Sequence, residues 1–320
     1  MKAVQVIGDA LSPHISCNND LPQPTPRAAE MLIQVHAAGI TGDEVTWPEL
    51  YRTPSRIPGH EISGVIASTG PDYVGPLKVG QEVAAFLTAE RGEGQAEYAL
   101  CSADEVTSKP TSISHAEAAA LPIPLLTAWE AITDHAKITS GMKVLVTGAS
   151  GAVGSIFTQL AAHLTGAEVI ALASRQNHES LKRLGAHSVL DYNTEDWEKA
   201  ATGVDVIFDT VGGDILAKTW EAISDSGTII TVADPPPPWA FGKGPAAESV
   251  GRPGVKYIYF VVSPNSERLR KALEFIDTGV VKALNIKTFP FEEASQAWSH
   301  AQGRNRGYKA VIDLKGAEKS

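Results

Sequence analysis

Cysteine is nearly missing from this chain: there are two, Cys17 and Cys101, in 320 residues, far apart and in no C-x-x-C arrangement. So few thiols exclude a disulfide framework and a cysteine-built zinc site. Long apolar runs are missing too. None reaches the about 18 uncharged residues that a membrane-spanning helix needs. Positive charge is in deficit, with 27 Lys and Arg against 37 Asp and Glu and a net charge of −10, so neither a nucleic-acid footprint nor an anionic-membrane surface is expected. Low-complexity tracts are absent. The opening "MKAVQVIGDA" is too short and polar for a secretory signal, and the closing "AEKS" is no retrieval address, so a cytoplasmic location is expected.

What remains is an ordinary globular composition, 43% apolar and 20% charged, on a chain long enough for roughly two domains. From about 143 to 234 the pattern alternates strand and helix. "VLVTGA" (144–149) and "AEVIALAS" (167–174) are continuous apolar runs, and "SVLDY", "VDVIFDTV" and "GTIITVAD" supply three more. Helical stretches such as "AVGSIFTQLAAHLTG" and "NHESLKRLGA" fall between them. Unbroken apolar strands alternating with helices imply a parallel sheet covered on both faces, the doubly wound α/β architecture. The first 120 residues instead carry short strands ("MLIQVHAAG", "ISGVIAS", "EVAAFLT", "AEYALC") punctuated by Pro and Gly, as in a partly closed antiparallel β-domain. After about 262, a helix and the strand "GYKAVIDL" are read as returning to that first domain. The segment 234–254, "DPPPPWAFGKGPAAESVGRPG", has no periodicity and is either a lid or a solvated excursion.

Strand 144–149 runs directly into "GASGAVG", with Gly148, Gly151 and Gly154 at G-x-x-G-x-x-G spacing. Such a turn lets backbone approach a pyrophosphate, and the helix behind it aims its free N–H groups at the phosphates. Position after a strand, before a helix and inside a repeated β-α unit makes this a dinucleotide site, contacted through Gly148, Ser150, Gly151, Ala152, Val153 and Gly154. The second strand ends "ALASRQN", offering Ser174, Arg175 and Asn177 and no carboxylate before Glu179. An NAD site commonly places Asp or Glu there, whereas a 2′-phosphate wants cations and hydroxyls. Arg175 is either the phosphate contact or a surface arginine beside a helix start. The cofactor expected is NADPH.

The stretches "AAGITGDE", "IPGHEISGVI", "EAAALPIPLLTAWEAI", "VLVTGASGAVG" and "LKRLGAHSVLDY" together resemble the medium-chain dehydrogenase/reductase superfamily, and within it the zinc-free quinone oxidoreductase-like and enoyl reductase branch. The resemblance runs in order along nearly the whole chain. It implies a GroES-like β-barrel catalytic domain (1–122 and 265–320) interrupted by a Rossmann domain (123–264), with the active site in the cleft between them. In zinc-dependent relatives the first metal ligand is a Cys where this chain has Thr41. The second is the His matching His60, and the third falls near Ile123, where no ligand side chain stands. No metal is expected, Glu44, His60 and Glu61 being the one alternative oxygen/nitrogen set, and His60 is read as a packed, hydrogen-bonded turn residue lining the cleft and a candidate for proton handling.

Without a Lewis acid, hydride transfer to an α,β-unsaturated carbonyl or a quinone is the expected reaction, because one or two hydrogen-bond donors suffice for the enolate oxygen. The resemblance places Thr127 beside the nicotinamide and Thr41 and Glu44 in the cleft, although zinc-free relatives often carry Asn and Asp at the latter two. Tyr51, Tyr73 and His60 are further candidate donors. Trp47, Trp239 and Phe241 are candidate walls of an apolar pocket, or covers for core edges. Tyr192 matches a residue near the adenosine 2′-phosphate. Val232 and Ala233 in "VADP", with Phe260 and Val261 in "YFVV", match stretches bordering the nicotinamide. A homodimer pairing the strand "YIYFVV" (257–262) is expected by analogy. Three other readings stay open: a non-catalytic NADPH-binding protein, a metal-requiring alcohol dehydrogenase, and a reductase scaffold acting on a specialised metabolite in secondary metabolism.

Overall fold

The computed structural model describes residues 1–194, 196–303 and 307–316. The chain divides into two compact units. The first is Met1–Leu126, Ser263–Gly279 and Ala283–Ser320; the second is Thr127–Val262 with Val280–Lys282.

In chain order the strands of the first unit's leading stretch are β1 (Ala3–Ile7), β2 (His14–Asn18), β3 (Met31–Gly39), β4 (Glu61–Thr69), β5 (Glu82–Phe86), β6 (Tyr98–Cys101) and β7 (Val106–Ser108). Two helices follow, α1 (His115–Ala119) and α2 (Pro122–Glu130). The second unit carries β8 (Lys143–Val146), α3 (Ala152–Leu160), β9 (Glu168–Leu172), α4 (His178–Arg183), β10 (Ser188–Leu190) and α5 (Trp197–Ala200). It continues with β11 (Val204–Asp209), α6 (Gly213–Ala222), β12 (Ile223–Thr231) and β13 (Lys256–Tyr259). The chain closes with α7 (Ser266–Asp277), β14 (Ile286–Pro290), α8 (Ala294–Gln302) and β15 (Lys309–Asp313).

In the first unit the sheet order is β14-β15-β3-β4-β5-β7, with β6 added against β3. The β15–β3, β3–β4, β4–β5 and β5–β7 pairs are antiparallel and β14–β15 is parallel. β3 is the axis of this sheet. Seven of its nine residues are apolar or small, and all but Gln34 and His36 are buried. Such a strand stays in place only with cover on both faces. Strand β15, near the end of the chain, pairs with β3 in this sheet. A capping box starts α1: Ser114 accepts from the Glu117 N–H, and the Glu117 carboxylate accepts from the Ser114 N–H.

The second unit is a six-stranded sheet in the order β10-β9-β8-β11-β12-β13, every pair parallel. Its apolar runs fill the layer between sheet and helices; Phe157 of α3 stacks on Phe208 of β11 with ring centroids 4.1 Å apart. The fold is therefore mixed α/β, a GroES-like β-unit with a Rossmann-like parallel-sheet unit.

The structure corrects three details. Pairing in β8 stops at Val146, so Thr147–Ala149 belong to the turn rather than to a strand running to 149. Tyr192 lies beyond the end of β10, not in it. The 234–254 segment is not structureless. It holds two 3-10 turns, at Pro238–Phe241 and Ala247–Ser249, and is pinned along β13: Trp239 meets Tyr257 at 5.0 Å and Phe241 meets Tyr259 at 5.5 Å. Arg252 closes it by donating to the carbonyls of Trp220 and Ile223.

One cluster in the first unit titrates. His36 and His115 meet edge to face at 4.3 Å, with Glu82, Asp313 and Lys315 around them. Ser63 Oγ lies 2.8 Å from His115 Nδ1, and Glu82 lies 3.3 Å from its Nε2 and 3.2 Å from Lys109. Burial and the His115 charge push His36 down to about 4. Its native pKa lies below the unfolded value of about 6.5, so the neutral ring's contribution is whole above that pH and is lost as pH falls toward 4. Discounted for a half-exposed ring, this is worth about 1–2 kcal/mol. Between pH 6.5 and 4 the unfolding temperature should therefore fall about 2–4 °C less for His36→Gln than for the parent protein. Identical acid slopes would show that the pair is not acid-sensitive.

Candidate functional site

In the first unit, the chain leaves β3 at Gly39, passes Thr41 and makes a 3-10 turn at Glu44–Thr46. It re-enters the sheet at β4 through Pro58-Gly59-His60. Gly59 has φ +105°, and a Cβ there would lie 2.7 Å from both Cγ and backbone N of Gln95, so only glycine makes this entry. The turn presents His60 and Glu61 side by side, both buried. Glu44, fully buried, accepts the Gly59 N–H and stands 2.7 Å from His60 Nδ1. The other imidazole nitrogen lies 3.4 Å from the Ala89 carbonyl, and the Trp47 ring covers the histidine at 5.0 Å. Burial alone pulls the His60 pKa down. The Glu44 charge and hydrogen bond, with Ala89 and Glu61 behind them, outweigh that, so the net shift is upward.

Glu61 has partners of its own. It forms a buried ion pair with Lys309 of β15, accepts the Ile123 N–H at 2.8 Å and receives a long contact of 3.4 Å from the Thr41 hydroxyl. Two buried carboxylates therefore occupy this corner, Glu61 paired with the Lys309 ammonium and Glu44 beside the His60 ring. Tyr51 is not free to act from here: its hydroxyl donates to the Val45 carbonyl at 2.6 Å. Tyr73 packs against the core and accepts the Leu77 N–H.

In the second unit, the Thr147–Gly151 turn links β8 to α3. Gly148 has φ +59°, and a Cβ there would meet Thr210 Oγ1 at 2.3 Å. At Gly154 a Cβ would come within 2.4 Å of the Gly148 carbonyl oxygen. Gly151 is different: its nearest neighbour would be 3.2 Å away, and the residue is exposed. Two glycines thus shape the turn and the third keeps its outer face open. Ser150, Ala152 and Val153 flank that face, where the first N–H groups of α3 have no intrahelical acceptor.

At the end of β9, Asn177 donates to Ser174 Oγ at 3.0 Å and Arg175 is exposed. Reading along the chain missed a carboxylate here. Leu190 pairs with Leu172, and the Ala173 N–H bonds the Leu190 carbonyl, so Asp191 comes beside this strand end. The N–H of Asn193, first, and that of Arg175 hold the Asp191 carboxyl below its ordinary value. Tyr192, the next residue, is partly exposed. Thr127 is buried on α2, Ala233 is buried after β12, and Val232 donates its N–H to the Asp209 carbonyl. Phe260 meets the His135 ring at a tilt, centroids 4.4 Å apart, whereas Val261 is exposed.

The comparisons now bear on these parts. The alcohol dehydrogenase GroES-like domain family matches residues 27–113, and the family described as zinc-binding dehydrogenase matches residues 184–312. A chloroplast envelope quinone oxidoreductase homolog of Arabidopsis thaliana is 30% identical, over 89% of this chain and 91% of that protein. The chain belongs to the medium-chain dehydrogenase/reductase superfamily. Within it the chain falls in the quinone oxidoreductase-like branch, as an oxidoreductase using a nicotinamide cofactor. The NADPH-dependent alkenal/one oxidoreductase of Arabidopsis thaliana is 31% identical over 80% of this chain, which spans 63% of that relative's length. The solved quinone oxidoreductase of Coxiella burnetii superposes with a TM-score of 0.84 at 26% identity, covering 98% of this chain and 99% of that one.

The zinc in one family description can be tested against these residues. A catalytic zinc takes three protein ligands and keeps an open position. Here the donor set does not fit. The cation beside Glu61 is the Lys309 ammonium, and Ile123 offers that carboxylate only a backbone N–H. Thr41 brings a hydroxyl, and Glu44 spends one oxygen, Oε1, on both His60 and Gly59, its buried Oε2 having no hydrogen-bond partner. Among the described residues no group of three or more His, Cys, Asp or Glu is placed to hold a metal ion.

In this superfamily member the two kinds of glycine should separate on mutation. Gly154→Ala forces the turn away from the helix and should cost about 1–3 kcal/mol of stability without any cofactor. Gly151→Val should keep the unfolding temperature and abolish binding of both NADH and NADPH. Thermal melts with cofactor titrations check this; the reverse pattern would show that the glycine roles are exchanged.

Proposed function

We propose that the chain is an NADPH-dependent, zinc-free reductase that delivers hydride to an α,β-unsaturated carbonyl, such as an alkenal or enone, or to a quinone. The observation that supports the reading is the Glu44–His60 and Glu61–Lys309 arrangement; among the described residues no group of three or more His, Cys, Asp or Glu is placed to hold a Lewis acid. An alkoxide from a simple ketone would go without metal stabilisation, whereas a delocalised enolate or hydroquinone oxygen needs only hydrogen-bond donors. The names of the alkenal/one and quinone oxidoreductase relatives support the same substrate class.

When bound, NADPH supplies the hydride. Gly148, Ser150, Gly151, Ala152, Val153 and Gly154 would hold its pyrophosphate through backbone N–H groups, with Thr127, Val232, Ala233, Phe260 and Val261 toward the nicotinamide. Ser174, Arg175, Asn177 and Tyr192 would meet the adenosine ribose and its 2′-phosphate. In the catalytic unit, Glu44 keeps His60 protonated to higher pH than a free histidine, so the imidazolium is the proposed source of positive potential and of a proton. Thr41 and Thr127 are proposed hydroxyl donors, and Tyr51 a donor only after giving up Val45. β13 closes one edge of its sheet, which supports a homodimer formed by pairing that edge with a second copy. Few thiols favour a cytosolic location. Among the described residues no helix is long and apolar enough to cross a membrane.

The test measures cofactor oxidation with a panel of enones, enals and quinones, using NADPH and NADH in parallel. Turnover with these acceptors and preference for NADPH are expected. Arg175→Ala should weaken NADPH by about 1–3 kcal/mol while leaving NADH nearly unchanged. Equal losses for both cofactors would remove Arg175 from the phosphate site, and inertness toward every acceptor would contradict the reductase reading.

A further inference from the structure

The most buried carboxylate among the described residues of the second unit belongs to a residue that the proposed function leaves without a part. Asp209 ends β11 and is fully buried. Its carboxylate accepts four hydrogen-bonding groups from three loops. Thr147 Oγ1 donates at 2.5 Å from the turn after β8. The N–H groups of Val211 (3.3 Å) and Gly212 (3.0 Å) donate from the turn before α6. Thr231 Oγ1 donates at 2.7 Å from the end of β12. The two hydroxyls pass the connection on: Thr147 Oγ1 accepts the Thr210 N–H at 3.2 Å, and Thr231 Oγ1 accepts the Ala233 N–H at 3.2 Å.

All four groups point hydrogen at one site, so the site demands an acceptor with several lone pairs. A carboxylate meets that demand; an amide of the same shape would turn its NH₂ against a donor. The loops it gathers leave the carboxyl ends of three neighbouring parallel strands, where ligands of doubly wound sheets bind. Thr210 also sets the glycine turn directly, since its hydroxyl donates to the Thr147 carbonyl at 3.1 Å and stands where a Cβ on Gly148 would go.

We propose that Asp209 is a positioning residue for the cofactor, bracing the 147–151, 210–213 and 231–233 loops into one preformed surface for the nicotinamide dinucleotide. The proposal rests on the reading of the glycine turn as the dinucleotide site. The brace acts on the geometry shared by both cofactors and not on the 2′-phosphate, so NADH and NADPH depend on it equally.

The experiment titrates NADPH and NADH into the parent protein and into Asp209→Asn, Thr231→Val and Thr231→Ser, alongside apo melting curves and kcat at saturating cofactor. Asp209→Asn should raise both dissociation constants about tenfold or more, with kcat changed less than about threefold. Thr231→Val should raise both about threefold, and Thr231→Ser, which keeps the hydroxyl, should stay within about twofold of the parent. If Asp209→Asn does not fold, the Thr231 pair decides. Unchanged affinity in folded Asp209→Asn, or identical affinities for the Val and Ser variants, would overturn the brace while the dinucleotide site stands. A parent protein that binds neither cofactor would overturn both.

Discussion

The ion pair between Glu61 and Lys309 joins residues 248 positions apart and closes the first unit on itself. Glu61 opens β4, Lys309 opens β15, and both strands flank the axial strand β3. Such a buried pair is not a generous source of stability, because each charge gives up its hydration to form it. Removing one partner is another matter: an unpaired buried charge costs about 3–5 kcal/mol. The pair therefore fixes the arrangement more than it strengthens it. It sets the charge of the corner where a zinc-dependent relative would keep its metal, and with Glu44 and His60 it leaves that corner filled with protein donors and acceptors.

The second unit solves a different problem with the same economy of groups. A surface for a pyrophosphate must present backbone N–H groups, and backbone is presented only where side chains stay out of the way. Gly148 and Gly154 shape the turn because a Cβ at either would strike its neighbours, and Gly151 leaves the face open. Rigidity then comes from behind. Asp209 ties three loops together beneath that face, and Gln159 of α3 exchanges two hydrogen bonds with the backbone of Lys282, which draws Val280–Lys282 into this unit. Preformed loops spend less ordering entropy on binding, the route by which the proposed brace would act on cofactor affinity.

Much of this was legible in the sequence because it is carried by local pattern. Continuous apolar runs between helices announce the parallel sheet, and G-x-x-G-x-x-G after a strand announces the turn. What escaped depends on contacts that no local pattern encodes. Lys309 sits in a strand that reads as ordinary, and only the β15–β3–β4 neighbourhood brings it to Glu61. Asp191 was invisible from the end of β9 because sheet pairing, not chain order, places it there. Asp209 looks like a polar residue closing an apolar strand until its four donors are seen. The Pro-rich 234–254 segment lacks periodicity, yet the side chains of Trp239, Phe241 and Arg252 anchor it.

The central proposal is that the Glu61–Lys309 ion pair and the Glu44–His60 contact, rather than a metal, serve the proposed catalytic corner of this oxidoreductase. Its most direct test is the rate of NADPH oxidation by an enone or quinone, measured on protein stripped with a chelator and again after zinc is restored, with bound zinc quantified. The account predicts a rate unchanged by chelation, no stimulation by zinc and no stoichiometric metal in the purified protein. Activity that disappears on chelation and returns with one equivalent of zinc would contradict it.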